Sequence, residues 1–401
     1  MRLVLVSQEY PPHTAFGGIG TQNHAKAHGL AALGHDVHVI AQSTDEQAHE
    51  FNDGPVRVTR IPGADHDLPL ATEEARWITY STRVAAAIAQ LHARFPLDLV
   101  EFADWGSEGF VHLLNQTEWN HIPSVIHLHG PIVMFAHAIG WPDPDSDFYR
   151  VASMMEETCV RRADAVFSSS RCSAQWCERF HGLKSQAMPV IHTGVDSHIF
   201  RPCDVPKDER PTIIFVGKIE RNKGVDLLVE AACRIAPQIP NLQVCLVGRG
   251  NAELTSQLQR RARVAGYPAL LQFVGFVDHG QLPQHLSRSH VFAAPSEYEG
   301  GPGFVYLEAM ACGLPVIACS GSGASEVVVP EENGLLVPPR DVDALVEALL
   351  RLLKQADLRH EIGQQARDYV VREADRELCL RRLESFYTSV GNKQLMQEAM
   401  H

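Results

Sequence analysis

Short unbroken apolar runs alternate with longer stretches of helical period along nearly the whole chain. Leu3–Ser7 (LVLVS) is a continuous run of strand length, the pattern of a strand buried on both faces of a parallel sheet. After it come a glycine-bearing segment, QEYPPHTAFGGIG, a predicted helix Thr21–Leu33 stopped by Gly34, and a second strand Asp36–Ala41. The same alternation predicts strands at Val56–Ile61, Leu97–Ala103, Ser124–Gly130, Ala165–Ser169 and Ala187–Gly194. A helix is predicted over Leu70–Arg94, and a loop rich in Asp and Pro over Pro131–Phe148. GVDSHIFRPCDVPKDER, from Gly194, is proline- and charge-rich, as domain boundaries are. Beyond it strands are predicted at Ile213–Ile219, Leu242–Val247, Gln272–Val277, Val291–Ala294, Val316–Ala318 and Gly334–Pro338. Helices are predicted over GVDLLVEAACRIA, from Phe304 to Cys312 with Gly313 as the stop, and from Asp341 onward. The end, Ala374–Val390, is amphipathic. The expectation is an α/β chain of two similar halves, with domains at 1–195 and 208–372 and a terminal helical segment at 373–401.

Composition narrows this little. The 401 residues are 45% hydrophobic and 21% charged, ordinary for a globular chain. No run approaches the ~18 consecutive apolar residues of a membrane span. The start, MRLVLVSQEYPP, is too short an apolar run for a signal peptide. Nine cysteines without a C-x-x-C pair fit reduced thiols, and a cytoplasmic location is expected. The net charge of −13 is uneven: residues 1–200 hold 13 Lys+Arg against 23 Asp+Glu, and the remainder 22 against 25. An acidic first half argues against nucleic acid and anionic lipid as partners. His127 and His129 share a face of one predicted strand, but the sequence joins no further ligands to them, and no metal is expected.

The chemistry concentrates in Pro295–Pro315, PSEYEGGPGFVYLEAMACGLP. A strand, a glycine turn through Gly301 and Gly303, and a helix beginning at Phe304 and Val305 make an anion pocket: free amides and the helix dipole face outward there. Glu299 and Glu308 flank it, and carboxylates beside phosphate need neutral hydrogen-bond donors such as sugar hydroxyls. A second glycine-flanked turn, GKIERNKG from Gly217 to Gly224, carries two cations, Lys218 and Lys223. Gly248 closes another strand. In the first half, Gly17 and Gly18 let the backbone approach a ligand at the sheet's carboxyl edge. Asp104 and Trp105 follow a predicted strand end, where an acid and an aromatic suit a stacked sugar or polyol as well as they suit a capped, packed helix start.

These motifs resemble the signature of family-four glycosyltransferases, which are retaining and have the GT-B fold. The resemblance rests on four motifs in the family's order and spans nearly the whole chain. EGGPGF stands where the family has EGFGL, one residue longer. VIHTGVD, from Val190, is similar to the family's V-I-x-N-G-V-D with Thr193 for Asn, and Lys218 replaces an arginine, which keeps charge and loses the planar fork. The resemblance implies two Rossmann-like domains facing across a cleft and a terminal helix returning to the first. It implies a nucleoside diphosphate sugar as co-substrate, uridine before guanosine, and a small-molecule, glycan or lipid acceptor. It gives Glu308 the ribose hydroxyls, Glu299 and His129 the donor sugar, Phe276 the base, and Lys218 and Lys223 the diphosphate. His127 reads as a core histidine.

Two other readings stay open at this point. A nicotinamide-dependent oxidoreductase would need G-x-G-x-x-G and an acid ending the second strand, and neither is present. A sugar-nucleotide-binding protein without catalysis would keep the same motifs.

Overall fold

A computed structural model of the chain describes every residue except 13, 15–17, 65–68 and 399–401, with side chains through 392. Gly17 therefore lies outside the described residues. The chain divides into two compact units, Met1–Thr193 with Glu377–His401, and Gly194–Arg376.

The first unit holds seven strands: β1 Arg2–Val6, β2 Asp36–Gln42, β3 His49–Asp53, β4 Val56–Ile61, β5 Leu99–Ala103, β6 Ser124–Leu128 and β7 Ala165–Ser168. Their order is β3-β4-β2-β1-β5-β6-β7. All pairs are parallel except β3–β4. The second unit holds six: β8 Thr212–Val216, β9 Gln243–Val247, β10 Leu271–Gly275, β11 Val291–Ala293, β12 Val316–Cys319 and β13 Gly334–Val337. They form an all-parallel sheet in the order β10-β9-β8-β11-β12-β13.

The apolar runs became strands because helices cover both faces of each sheet: Leu3, Val4, Leu5, Ile213, Ile214, Phe292 and Ile317 are buried. Helix starts follow local chemistry. Thr72 caps the helix Glu73–Arg94 by accepting from the Ala75 amide, and Asp341 caps Val342–Lys354 through Ala344. The terminal helix Arg376–Glu398 buries Leu380, Leu383, Tyr387 and Val390 in one cluster with Leu3, Leu5 and Val37.

Four local expectations are corrected. The helix predicted from Thr21 begins at Gly18, so Gly18 and Gly20 belong to its first turn and not to a loop. Pro131–Phe148 is not all loop: Ile132–Ile139 is a helix, entered after Pro131 and ended by Gly140 at φ 75. Ala187–Gly194 is not a strand; it pairs with the sheet at a Ser168–Val190 bridge and packs Ile191 against it. β3 was not expected; its sequence, HEFND, is polar because it is an exposed edge paired on one side.

Candidate functional site

In the second sheet the chain runs outward from β8 to β9 and β10, then returns to β11 on the other side of β8. The loops after β8 and β11 therefore part at a topological switch point, the crevice where open parallel sheets bind ligands. Both lysine- and glutamate-bearing motifs sit in these two loops. They are fastened together: the Asn222 carbonyl accepts from the Ser296 hydroxyl at 3.2 Å and the Glu297 amide at 3.3 Å.

Across this crevice Lys223 Nζ donates to Glu299 Oε1 at 2.8 Å. Both are partly exposed, at 28% and 15% of their side chains. A Cβ placed on Gly303 would lie 3.9 Å from the Glu299 carboxyl carbon, so Lys223, Glu299 and Gly303 form one cluster. Gly303, at φ 67, precedes the helix Phe304–Ala311, and no side chain caps it. Its first amides, from Phe304 and Val305, are therefore open to an anion. Beneath them Tyr306 is fully buried, its hydroxyl donating to the Ala294 carbonyl. The Gly301 carbonyl lies against Gly323, and the Glu299 carbonyl accepts from the Gly323 amide at 2.8 Å. The glycine turn is thus held from behind by Gly323.

Gly217 and Gly248 end β8 and β9 at φ 147 and 137. A Cβ on Gly248 would come within 1.9 Å of the Gly217 carbonyl oxygen, so the two strand ends close on each other with room for no side chain. Lys218 is exposed beside them. Phe276, 65% exposed after β10, lies under the Arg249 guanidinium, 5.0 Å from the ring centre.

Glu308 lies one turn inside the same helix and is buried at 4% exposure. Its Oε1 pairs with His279 Nε2 at 2.6 Å. Burial pulls the His279 imidazole down, but the hydrogen bond and charge of Glu308 outweigh it and its pKa is raised. Nothing along the chain announces this pair, whose members stand 29 positions apart.

The first sheet has its own switch point, between β1 and β5. Gln8 after β1 donates its amide to Glu108 Oε1 at 2.8 Å across it. Asp104 and Trp105 stood out in the sequence, and Glu108, four positions beyond Asp104, did not. Burial pushes its carboxyl up to about 8, the nearby Glu9 adding to the rise against the Gln8 amide. Glu108 Oε2, Ser107 Oγ and Tyr80 Oη are buried with no hydrogen-bond partner, and Ser107 is held at φ 46. Asp104 is spent locally: Oδ1 accepts from the amides of Trp105 and His129, and Oδ2 from Gly130, at 2.9–3.0 Å. Burial, with Glu156 adding, pushes it up to about 7. Trp105 packs with Trp77, Phe135 and Trp141, its ring centre 6.0 Å from that of the half-exposed Trp141.

His127 is a bonded core histidine, with Ser169 Oγ at 2.8 Å and Lys26 Nζ at 3.2 Å. Lys26 also pairs with Glu101, which accepts from the Tyr387 hydroxyl. His129 differs: neither ring nitrogen has a partner, though both are buried. Burial, with His127 and Lys26 beside it, lowers its pKa and keeps it neutral.

Glu108 offers a test of this electrostatic picture. Its folded pKa lies above the 4.5 of the exposed acid, so the native state binds the proton more tightly. Its contribution to stability is full below that value and is lost as pH climbs to about 8. Glu108→Gln keeps the acceptor for Gln8 and cannot ionise. Urea unfolding at pH 5 and pH 8.5 is expected to show a gain on the order of 2–4 kcal/mol for Glu108→Gln at the higher pH only. Parallel pH dependence in the two proteins would contradict a buried, neutral Glu108.

Comparison with known proteins agrees with this geometry. The family model "Glycosyl transferases group 1" matches residues 199–369, and "Glycosyl transferase 4-like domain" matches residues 17–194. Alpha-maltose-1-phosphate synthase of Mycolicibacterium smegmatis is 29% identical over 93% of this chain and 95% of its own. The GDP-mannose-dependent alpha-(1-6)-phosphatidylinositol monomannoside mannosyltransferase of Mycobacterium tuberculosis is 30% identical over 58% of this chain and 63% of its own. Among solved structures, sucrose-phosphate synthase from Thermosynechococcus elongatus superposes with a TM-score of 0.81 at 24% identity, covering 97% of this chain and 98% of that one. Two parallel-sheet units, each with a switch point, and family matches that run through both, make this chain a GT-B glycosyltransferase of family four.

Proposed function

We propose that this chain moves a hexosyl group from a nucleoside diphosphate sugar to a hydroxyl of a small-molecule, glycan or lipid acceptor, with retention at the anomeric carbon. The observation that carries the reading is the convergence of Lys223, Glu299 and the uncapped helix start at Gly303 on the β8/β11 switch point. A diphosphate meets there an ammonium group, open amides and the positive end of a helix dipole. These groups and Lys218 stabilise the charge that grows on the diphosphate as the sugar's bond to it breaks, so the transfer step uses no metal. The acceptor oxygen bonds to the anomeric carbon from the same face and its proton passes to a diphosphate oxygen. Glu308 takes the ribose hydroxyls through the carboxylate capacity that His279 leaves. In the first unit, His129 and un-ionised Glu108 present unbonded polar atoms suited to sugar or polyol hydroxyls.

The name of the M. tuberculosis relative states dependence on GDP-mannose, which supports a nucleoside diphosphate sugar as the donor class. Uridine is the base we favour, guanosine the next. All nine cysteines are free thiols, which fits a reducing cytoplasm, and no helix among the described residues is long and apolar enough to cross a membrane. A thermal-shift screen of UDP, GDP and ADP with their sugars tests the reading. The right nucleotide is expected to stabilise the protein by about 2.7 kcal/mol at a hundredfold excess over Kd. Silence from all of them at millimolar concentration would remove the proposal. Proton NMR of the first product then reads the anomeric configuration, and inversion would remove retention.

A further inference from the structure

The helix Gly18–Ala32 carries His24 and His28 one turn apart, on the face opposite Lys26. Asp53, the last residue of edge strand β3, lies against them. His24 Nε2 is 3.3 Å and His28 Nε2 3.0 Å from Asp53 Oδ2. The three ligand atoms all lie within 4.8 Å of one another. The two imidazoles are 4.3 Å apart centre to centre. The Tyr10 hydroxyl donates to the same carboxylate oxygen at 2.9 Å. The three side chains remain 30–38% exposed, so an ion can reach them.

We propose that His24, His28 and Asp53 form a binding site for a divalent transition-metal cation, zinc in the first instance. Two imidazole nitrogens and a carboxylate oxygen are the donor set that suits zinc. Ligand atoms of a tetrahedral ion with bonds near 2.0–2.1 Å stand roughly 3.3 Å apart. The separations from Asp53 match this closely, and the two imidazole nitrogens, within 4.8 Å of each other, draw together onto the ion. It takes the place of the protons that the imidazoles now share with the carboxylate. Tyr10 acts as the outer partner that orients the ligating carboxylate. A hydrogen-bonded His–Asp cluster with no metal use would share the present distances, but it gives no reason for both imidazoles to converge on one oxygen that a tyrosine also orients.

The site has a structural consequence. Tyr10 is itself held on two sides: its amide donates to Thr14 Oγ1 at 2.9 Å, and its carbonyl accepts from Arg60 Nη2 at 2.9 Å. A cation on Asp53 ties Tyr10, the helix and the β3–β4 hairpin together. The ion is structural or regulatory and takes no part in the transfer step. The i,i+4 histidine pair was visible in the sequence, but Asp53 reaches it only through the fold.

The test is zinc binding by the full chain after chelator treatment, followed by isothermal calorimetry and by thermal shift. One saturable site per chain is expected, with a rise in melting temperature. His28→Ala and His24→Ala are each expected to weaken it roughly 100-fold, and Tyr10→Phe about 10-fold. Alanine favours a helix, so both histidine variants keep the fold. His49→Ala, at the separate His49–Asp45 pair, serves as the control and is expected to change nothing. Cobalt(II) in place of zinc should give visible d–d bands that His28→Ala abolishes. Absence of saturable binding below 1 mM, or equal weakening by His49→Ala, overturns the proposal.

Discussion

Lys223→Ala is expected to lower kcat by roughly 10²–10³, the cost of removing one group that meets charge developing in the transition state. The Michaelis constant of the acceptor should move little, because Lys223 is assigned to the leaving diphosphate. Its present partner does not oppose this. The pair with Glu299 is partly exposed, at 28% and 15%, and such pairs contribute about 0–1 kcal/mol. A diphosphate with more charge and more acceptor oxygens can therefore take the ammonium over at small cost. The release leaves Glu299 beside Gly303 with its carboxylate free for a sugar hydroxyl. Steady-state kinetics with the donor identified by thermal shift checks the result. Turnover within threefold of the wild type would exclude Lys223 from leaving-group stabilisation. An equal fall in kcat for Lys218→Ala would show that the two lysines act as one charge cluster; a smaller fall would fit the exposed position of Lys218.

The second sheet could be read from its pattern for a physical reason. Strands buried on both faces must be apolar throughout, and glycines must stand where strand ends close on each other, as Gly248 does on Gly217. Both leave marks in the sequence. β3 left none, since an edge strand paired on one side has no apolar face to advertise. The helix Ile132–Ile139 was hidden by its length and by the prolines and aspartates around it. Gly18 and Gly20 misled in the opposite direction: glycines suggest a loop, yet here they occupy a helix's first turn.

The site divides in the same way. Individual residues such as Lys223, Glu299 and Gly303 could be picked out by type and spacing. Their meeting could not, because Glu299 stands 76 positions after Lys223 and only the return of the sheet at β8/β11 joins them. Burial was equally hidden. Asp104 and Glu108 are near neighbours and both carboxylic acids, yet one is spent on three backbone amides and the other keeps an unbonded oxygen. Nothing in DWGSE distinguishes them.

Glu308→Gln separates donor binding from chemistry. Glutamine keeps the shape and an oxygen for His279, so the helix and its partner remain in place. It loses the charge that strengthens hydrogen bonds to ribose hydroxyls. Hydrogen bonds to charged groups contribute about 1.5–3 kcal/mol, so the Kd of the nucleoside diphosphate is expected to rise roughly 10- to 100-fold. The nucleoside diphosphate alone and the full donor should weaken alike, since the ribose is common to both. Turnover at saturating donor should change far less than in Lys223→Ala, because a ribose contact is the same in the ground and transition states. Calorimetry of nucleotide binding reads the first effect and saturation kinetics the second. Unchanged nucleotide affinity in a folded Glu308→Gln protein would leave Glu308 as a partner of His279 alone. The ribose would then have to be held elsewhere on the carboxyl edge of the second sheet.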